Sequence, residues 1–354
     1  MKNRYAILAG DEQFQFVDED FQINGTPLVK VTNIGICGTD MDWWKDGREH
    51  VGQVLGHEFS GVIVDPGKSP FHEGDRVAGY TQNIYNEYCG HCESCLRGDF
   101  EHCTNRKVRT WKGGELNHPG AYSQYTTWFP GSFYRLPETV SNEEGAILEP
   151  LAVTLHAVVR TGIRPNDKVL VLGGGIIGCG AAEWSRCFGA GTVVITEIVP
   201  EKMEIIRGFG CADYVLKADD PDLFEQYREL SGGGFDVVFD CCGVGSAVNG
   251  AIVNAFKPDV RARKCFTSIA QNRGNNMPIR YNDFLLSEIV WKGTKGHFPD
   301  EFATVLRLVA GKKLDVRKFI TKKIPFSGIQ QGFEELKASG GTPGKAMIIM
   351  DGAD

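Results

Sequence analysis

The chain has 354 residues, more than one hydrophobic core usually supports, so two domains are expected. Hydrophobic residues make up 42% of it and charged residues 23%, which excludes a disordered or fibrous protein. The formal net charge of −7 argues against a nucleic-acid partner, because nucleic-acid-binding domains present a basic face.

The first part of the chain is predicted to be mostly β. Short apolar runs such as "LVKVTNIGICG", "GQVLGHEFSGVIVD" and "DRVAGY" alternate with glycine, proline and aspartate turns. The pattern changes near Pro150, so we predict a first domain over residues 1–150.

Neither a secretory signal nor a membrane span is expected. The first residues, "MKNRYAILAGDEQF", lack a long apolar run, and the apolar stretch that starts at Val169 is short and interrupted by glycines. We therefore expect a cytoplasmic protein with no membrane partner.

A cluster of four cysteines interrupts the first domain. Cys89, Cys92, Cys95 and Cys103 lie within fifteen residues. Four thiolates at this spacing can surround a tetrahedral zinc ion and leave no open position, so we predict a structural zinc site in a lobe at about residues 86–105. An iron–sulfur cluster is the alternative, although its usual cysteine spacings differ.

From Asp167 onward, short apolar runs alternate with helical patterns. We predict strands at "KVLVLG", "TVVITE", "DYVL", "FDVVFDCCG", "KCFTSIA" and "IVWKG", with helices over 176–188, 200–209 and 246–256. This alternation is typical of a doubly wound parallel sheet. The second domain is placed at residues 151–295, and its six cysteines are expected to be buried. Residues 296–354, with the helical "DEFATVLRLVAG" and the strand "KAMIIM", should return to the first domain.

The second domain opens with a dinucleotide-binding signal. In "VLVLGGGIIGCG", Gly173, Gly175 and Gly178 form a GxGxxG motif after an apolar strand, and Ile176 and Ile177 begin the helix. The glycines permit a tight turn, close approach of backbone N–H groups to a pyrophosphate, and close helix–strand packing. We predict that these five residues bind the cofactor.

Glu197 indicates which dinucleotide binds. It ends the strand "TVVITE", where a carboxylate can accept hydrogen bonds from the adenosine ribose and repel a 2'-phosphate. NAD is therefore favoured over NADP. Lys202 is also predicted to lie near the cofactor, and because of it NADP remains an alternative to NAD.

The motifs together resemble those of the zinc-dependent medium-chain dehydrogenases, which include alcohol, sorbitol and threonine dehydrogenases. The resemblance rests on "GICGTD", "GHEFSG", "GDRV", the four-cysteine lobe, "GAYSQY", "ILEPLAV" and "VLGGGIIG", and it covers nearly the whole chain. It implies an α/β protein with a GroES-like, mostly β catalytic domain and a Rossmann domain. It also implies a homo-oligomer, either a dimer or a tetramer.

The same resemblance implies a second, catalytic zinc ion. Cys37 and His57 match the first two ligands, and Glu149 matches the glutamate ligand of the polyol branch. Glu58 matches a glutamate that can approach or bind the metal, and Asp40 resembles the carboxylate that orients the ligand histidine. One thiolate, one imidazole and one carboxylate leave a fourth position for water or substrate, as a catalytic zinc requires.

Two further residues are expected to take part in catalysis. Thr39 matches the hydroxyl that receives the substrate proton. Asp42 stands where many relatives carry a proton-relay histidine, so it either relays the proton itself or is a solvated loop aspartate. Trp43 and Trp44 follow, and either line the substrate pocket or belong to the core.

These expectations converge on an NAD-dependent zinc dehydrogenase that acts on a small-molecule alcohol. The glutamate ligand favours a polyol or sugar-derived secondary alcohol, which would be oxidised to a ketone. An amino-alcohol dehydrogenase of the threonine type is the first alternative. A non-catalytic nucleotide-binding protein is the second, although the retained zinc ligands argue against it.

Overall fold

The computed structural model describes residues 1–21, 23, 25–80, 86–99, 102–108, 120–128, 130–272 and 276–352. The chain forms two compact units. The first unit comprises Met1–Glu149 together with Phe298–Asp354, and the second comprises Pro150–His297. The C-terminal segment therefore rejoins the unit in which the chain began.

The strands in chain order are β1 (Lys2–Gly10), β2 (Gln13–Asp20), β3 (Leu28–Gly35), β4 (Glu58–Asp65), β5 (Arg76–Gly79), β6 (Asn86–Glu87), β7 (Lys107–Val108), β8 (Tyr125–Thr127), β9 (Phe133–Arg135), β10 (Lys168–Leu172), β11 (Thr192–Glu197), β12 (Tyr214–Lys217), β13 (Val237–Asp240), β14 (Cys265–Ser268), β15 (Val290–Gly293), β16 (Ile320–Pro325) and β17 (Lys345–Ile349). The α-helices are α1 (Gly38–Lys45), α2 (Glu93–Leu96), α3 (Asn142–Gly145), α4 (Leu148–Thr161), α5 (Ile176–Cys187), α6 (Pro200–Phe209), α7 (Leu223–Ser231), α8 (Gly245–Asn254), α9 (Tyr281–Leu286), α10 (Pro299–Ala310) and α11 (Ile329–Ala338).

The first unit is built on a seven-stranded sheet. Its strand order is β16-β17-β3-β4-β5-β9, and β8 pairs separately with β3. The pairs are antiparallel except for β16 with β17. Val31, Ile34 and Phe59 are fully buried in the core on this sheet. The C-terminal strand β17 lies directly beside β3, and this adjacency brings the last part of the chain to the site described below.

The second unit contains a six-stranded parallel sheet of order β12-β11-β10-β13-β14-β15. Leu170, Val194, Val238 and Phe266 are fully buried, as expected for strands covered on both faces. The strand order reverses direction on either side of β10, and ligands bind at the carboxyl ends of the strands at such a switch point. The predicted fold class, a mostly β domain with a doubly wound parallel sheet, is confirmed.

None of the helices within the described ranges is both long and apolar enough to cross a lipid bilayer.

Candidate functional site

Three potential metal ligands lie together in the first unit. Strand β3 ends at Gly35 and leads into Cys37, the N-cap of α1, while the adjacent strand β4 begins at Glu58, which pairs with Gly35. His57 immediately precedes β4. The ligand atoms of Cys37, His57 and Glu58 all lie within 4.8 Å of one another. His57 is 8% exposed and Glu58 1%, so these two donors are shielded from water, whereas Cys37 is half-buried.

Glu149 also contributes negative charge to this region. It lies in the first turn of α4 and is 2% exposed. Burial disfavours a charged imidazole, yet the neighbouring Cys37, Asp40 and Glu149 raise the pKa of His57 well above its usual value. Anionic groups gathered around a buried imidazole favour a positive charge at this place, which a bound divalent cation can supply instead of a proton.

Asp40 is held by several donors and lies beside His57. Its Oδ1 is 3.7 Å from His57 Nδ1, while its Oδ2 accepts hydrogen bonds from the backbone N–H of Cys37 at 3.0 Å and from the Tyr122 hydroxyl at 2.8 Å. Gly56 N donates to Oδ1 at 3.4 Å. Asp40 therefore lies where a carboxylate can orient the histidine. Tyr122 was not singled out from the sequence, although it belongs to the "GAYSQY" motif.

Lys345 is a second residue that the sequence did not reveal. It is the first residue of β17 and is 2% exposed. Its Nζ donates to Glu58 Oε1 at 2.9 Å and lies 2.6 Å from Glu58 Oε2. Burial alone would lower its pKa, but Glu58 and Cys37 raise it. A buried lysine is rarely found without a partner of this kind, so its pairing with a candidate metal ligand is informative.

One side of α1 carries the residues predicted to handle protons. Asp40 and Trp44 are the buried residues of this helix, whereas Thr39 is exposed and Asp42 half-buried. Trp44 belongs to the core. Half-buried Trp43 stacks on His50, with ring centroids 4.4 Å apart and an interplanar angle of 12°. Thr39 and Asp42 are three positions apart, so they share a helix face.

The donor set fits a zinc ion. A thiolate, an imidazole and carboxylates are the ligand types that zinc prefers, and Cys37, His57 and Glu58 are already gathered at ligand spacing. The negative surroundings of His57 add to this fit. Zinc at this place would be held by Cys37 and His57, with Glu58 as the carboxylate at ligand distance; the predicted ligand Glu149 is not part of this cluster, although its charge acts on His57.

The four-cysteine lobe forms a second candidate metal site. The sulfur atoms of Cys89, Cys92, Cys95 and Cys103 all lie within 4.8 Å of one another. Backbone N–H groups point at two of them, from Cys92 to Cys89 Sγ and from Cys89 to Cys103 Sγ, each at 3.3 Å. Backbone hydrogen bonds from Cys95 and Thr104 lower the pKa of Cys92 to about 5. Four thiol groups at this spacing can enclose a tetrahedral ion completely.

The glycine-rich turn lies between β10 and α5 in the second unit. Gly173 has a φ of 99°, and Gly175 is the N-cap of α5. A side chain at Gly178 would overlap the carbonyl oxygen of Gly173, so only glycine lets the helix pack this closely against the turn. Ile176 and Ile177 form the first turn of α5, whose free N–H groups suit a pyrophosphate.

Glu197 is the last residue of β11 and lies next to this turn. Its Oε2 accepts a hydrogen bond from Gly174 N at 3.3 Å, and its Oε1 accepts from Ile198 N at 2.8 Å and Val199 N at 3.0 Å. The carboxylate is therefore fixed at the carboxyl end of the sheet beside the glycine-rich turn. Lys202 lies in the first turns of α6, and its side chain is half-buried.

Comparison with known proteins covers both units. A model of the alcohol dehydrogenase GroES-like domain matches residues 24–138, and a model of the zinc-binding dehydrogenases matches residues 177–311. A sorbitol dehydrogenase of Halalkalibacterium halodurans is 29% identical over 315 residues, 88% of each chain. The "Probable D-xylulose reductase A" of Arthroderma otae is 29% identical over 359 residues, 96% of each chain. The crystal structure of 2R,3R-butanediol dehydrogenase from Bacillus subtilis has a TM-score of 0.79 and 26% identity, and the match covers 98% of this chain and 99% of that one.

Proposed function

Because the chain belongs to the zinc-dependent medium-chain alcohol dehydrogenases, we propose that it oxidises a secondary alcohol of a polyol or sugar-derived alcohol to a ketone, with NAD as the hydride acceptor. Alcohol and NAD⁺ would give ketone, NADH and one proton. The observation that carries the proposal is the cluster of half-buried Cys37 with buried His57 and Glu58, whose ligand atoms all lie within 4.8 Å of one another. Sorbitol dehydrogenase and xylulose reductase, among the relatives, are named for substrates of this class.

The residues of the first unit are assigned metal binding and proton transfer. When bound, zinc supplies the Lewis acidity that lowers the pKa of a substrate hydroxyl. Cys37 and His57 are proposed protein ligands, with Glu58 or Glu149 as the carboxylate ligand. The exposed Thr39 hydroxyl, two residues after Cys37, is assigned the substrate proton, and Asp42 is assigned its onward transfer along the same helix face.

The residues of the second unit hold the cofactor. Gly173, Gly175 and Gly178 shape the turn that receives the pyrophosphate, and the first turn of α5 with Ile176 and Ile177 supplies N–H groups. Glu197 is assigned to the adenosine ribose, so NAD should be preferred over NADP. Lys202, the third residue of α6, follows Glu197 after a short connection and is assigned a minor cofactor contact. A Michaelis constant that is lower for NADP than for NAD would contradict this assignment.

A structural zinc ion in the four-cysteine lobe completes the proposal. Thiols that lie this close together would form disulfides in an oxidising compartment and remain metal ligands in a reducing one. A cytoplasmic location is therefore proposed together with the structural zinc.

We also propose a homo-oligomer that forms through the edge strand β15. This strand ends the parallel sheet, and Val290 in it is 55% exposed. The preceding helix α9 exposes Tyr281, Leu285 and Leu286, of which Leu286 is 74% exposed. An exposed apolar strand edge of this kind is normally covered by a partner. A monomer in light scattering would contradict the proposal.

The decisive experiment is NADH formation by zinc-loaded protein with a panel of polyols, sugars, sugar acids, simple secondary alcohols and threonine. We expect strong activity with polyols or sugar-derived alcohols. His57→Ala, measured beside the wild type, should abolish the activity because it removes a proposed ligand. A response to threonine alone would indicate the amino-alcohol type. No turnover despite tight NADH binding would favour a non-catalytic nucleotide-binding protein.

A further inference from the structure

Three glycines follow β10 in a row, and only the middle one is constrained by neighbouring side chains. Gly173 has a φ of 99°, a conformation that other residues rarely adopt. Gly175 is exposed, and a Cβ atom there would meet no protein atom within 4 Å. Gly174 is buried, and its φ lies outside the left-handed region. Lack of space, and not backbone conformation, therefore requires glycine at position 174.

Two side chains occupy the space beside Gly174. A Cβ atom at this position would overlap Ile206 Cδ1 and would lie 3.1 Å from Glu197 Oε2, where ordinary contact begins at 3.4 Å. Ile206 is 1% exposed on the buried side of α6, so its terminal methyl group has little room to move in a close-packed interior. A side chain at position 174 would therefore press on the Glu197 carboxylate as well as on Ile206.

The Glu197 carboxylate is held at both oxygens. Its Oε1 accepts hydrogen bonds from Ile198 N at 2.8 Å and Val199 N at 3.0 Å, in the connection to α6. Its Oε2 accepts from Gly174 N at 3.3 Å, and this bond joins the carboxylate to the glycine-rich turn. A carboxylate offers about four acceptor positions, so Oε2 keeps a position for a ribose hydroxyl.

We propose that Gly174 is a positioning residue that sets the dinucleotide preference through Glu197. Because Gly174 has no side chain, the Glu197 carboxylate reaches its N–H group and stays beside the turn. A carboxylate that is fixed there can accept from the adenosine ribose and cannot swing aside for a 2'-phosphate. The proposal rests on the cofactor binding proposed above, and it assigns to the Gly174 N–H group no contact with the ribose.

The test compares the dissociation constants of NADH and NADPH, measured by fluorescence titration of the full-length protein. Gly174→Ala should weaken NADH binding and lower the ratio of the NADPH constant to the NADH constant by about tenfold, the smaller effect expected from loss of a hydrogen bond to a charged group. Damage to the turn alone would weaken both nucleotides alike. Gly208→Ala is the matched control and should keep the wild-type ratio, because a methyl group there, in the same helix as Ile206, meets nothing within 4 Å.

Two further backgrounds identify the side chain through which Gly174 acts. Ile206→Val removes the overlapping methyl group, so that a Cβ atom at position 174 meets Cγ1 at 3.4 Å but still lies 3.1 Å from Glu197 Oε2. In this background Gly174→Ala should cost less thermal stability and still lower the ratio about tenfold. In a Glu197→Ala background, Gly174→Ala should change the ratio by less than about twofold.

The proposal is overturned if Gly174→Ala keeps the wild-type ratio, if the Ile206→Val background restores that ratio, or if the change is the same with and without Glu197. Should Gly174→Ala alone fail to fold, the variant that also carries Ile206→Val decides the question, since the overlap is relieved. A wild type that binds NADPH more tightly than NADH would refute the proposed cofactor preference. The dependence of the Gly174→Ala effect on Glu197 would still decide the role of Gly174.

Discussion

Gly178→Ala tests whether close packing of the glycine-rich turn is needed for nucleotide binding. A methyl group there would overlap the Gly173 carbonyl oxygen and lie 3.0 Å from its carbonyl carbon and 3.2 Å from Val171 Cγ1, where ordinary contact begins at 3.4 Å. The obstacle is backbone, which cannot rotate aside as a flexible side chain can. The start of α5 must therefore move away from the turn.

Overpacking of this kind costs about 1–3 kcal/mol of folding stability. The displaced helix start also moves its N–H groups away from the proposed pyrophosphate position, so we expect NADH affinity to fall by at least about tenfold, or ~1.4 kcal/mol. Two control variants separate these effects. A methyl at Gly208 in α6 meets nothing within 4 Å and should stabilise the helix by about 0.5–1 kcal/mol. A methyl at Gly175 also meets no protein atom within 4 Å, but it would stand where the ligand approaches.

The assay combines the NADH dissociation constant from fluorescence titration with thermal unfolding of each variant. Gly178→Ala should lose both stability and affinity, Gly175→Ala mainly affinity, and Gly208→Ala neither. If Gly178→Ala bound NADH and unfolded like Gly208→Ala, the reasoning about the turn would be refuted.

Two further predictions concern single contacts. Tyr122→Phe removes the hydrogen bond to Asp40, and a hydrogen bond to a charged group is worth about 1.5–3 kcal/mol. Zinc should therefore bind about tenfold more weakly, as measured in competition with a chelator. Unchanged zinc affinity would show that this hydrogen bond does not support the site. Glu197→Ala removes the carboxylate to which we assign repulsion of a 2'-phosphate, so it should lower the Michaelis constant for NADP relative to that for NAD. An unchanged ratio of the two constants would count against the assigned role of Glu197.

The second unit was the more predictable from sequence. Strand "TVVITE" and the helix over 200–209 match β11 and α6 residue for residue, because β-branched residues and an N-terminal proline mark them. Helix α7 was missed, although Leu223, Tyr227 and Ser231 recur at helical spacing on its buried side. The prediction that all six cysteines of this unit are buried was wrong for Cys187, which is exposed at the C-terminal end of α5, and Cys241 and Cys242 are only half-buried.

The metal site was only partly predictable from sequence. The resemblance to the zinc-dependent dehydrogenases, carried by the motifs "GICGTD" and "GHEFSG", brought out Cys37 and His57. The contact between Lys345 and Glu58 joins residues 287 positions apart, and it depends on β17 pairing with β3. A lone lysine in "GKAMIIM" carries no local sign of such a partner. Pairing between strands that are far apart in the chain cannot be read from the local pattern of a single sequence.

The most direct test of the two proposed zinc sites is the metal content of the purified wild type and of His57→Ala, measured by elemental analysis beside polyol-dependent NADH formation. We expect two zinc ions per chain in the wild type. In His57→Ala we expect one zinc ion, held by the four cysteines, with no turnover and with NADH binding retained. Iron in place of zinc, a wild type with a single zinc ion, or a His57→Ala variant that still oxidises polyols would contradict the proposed sites and their function.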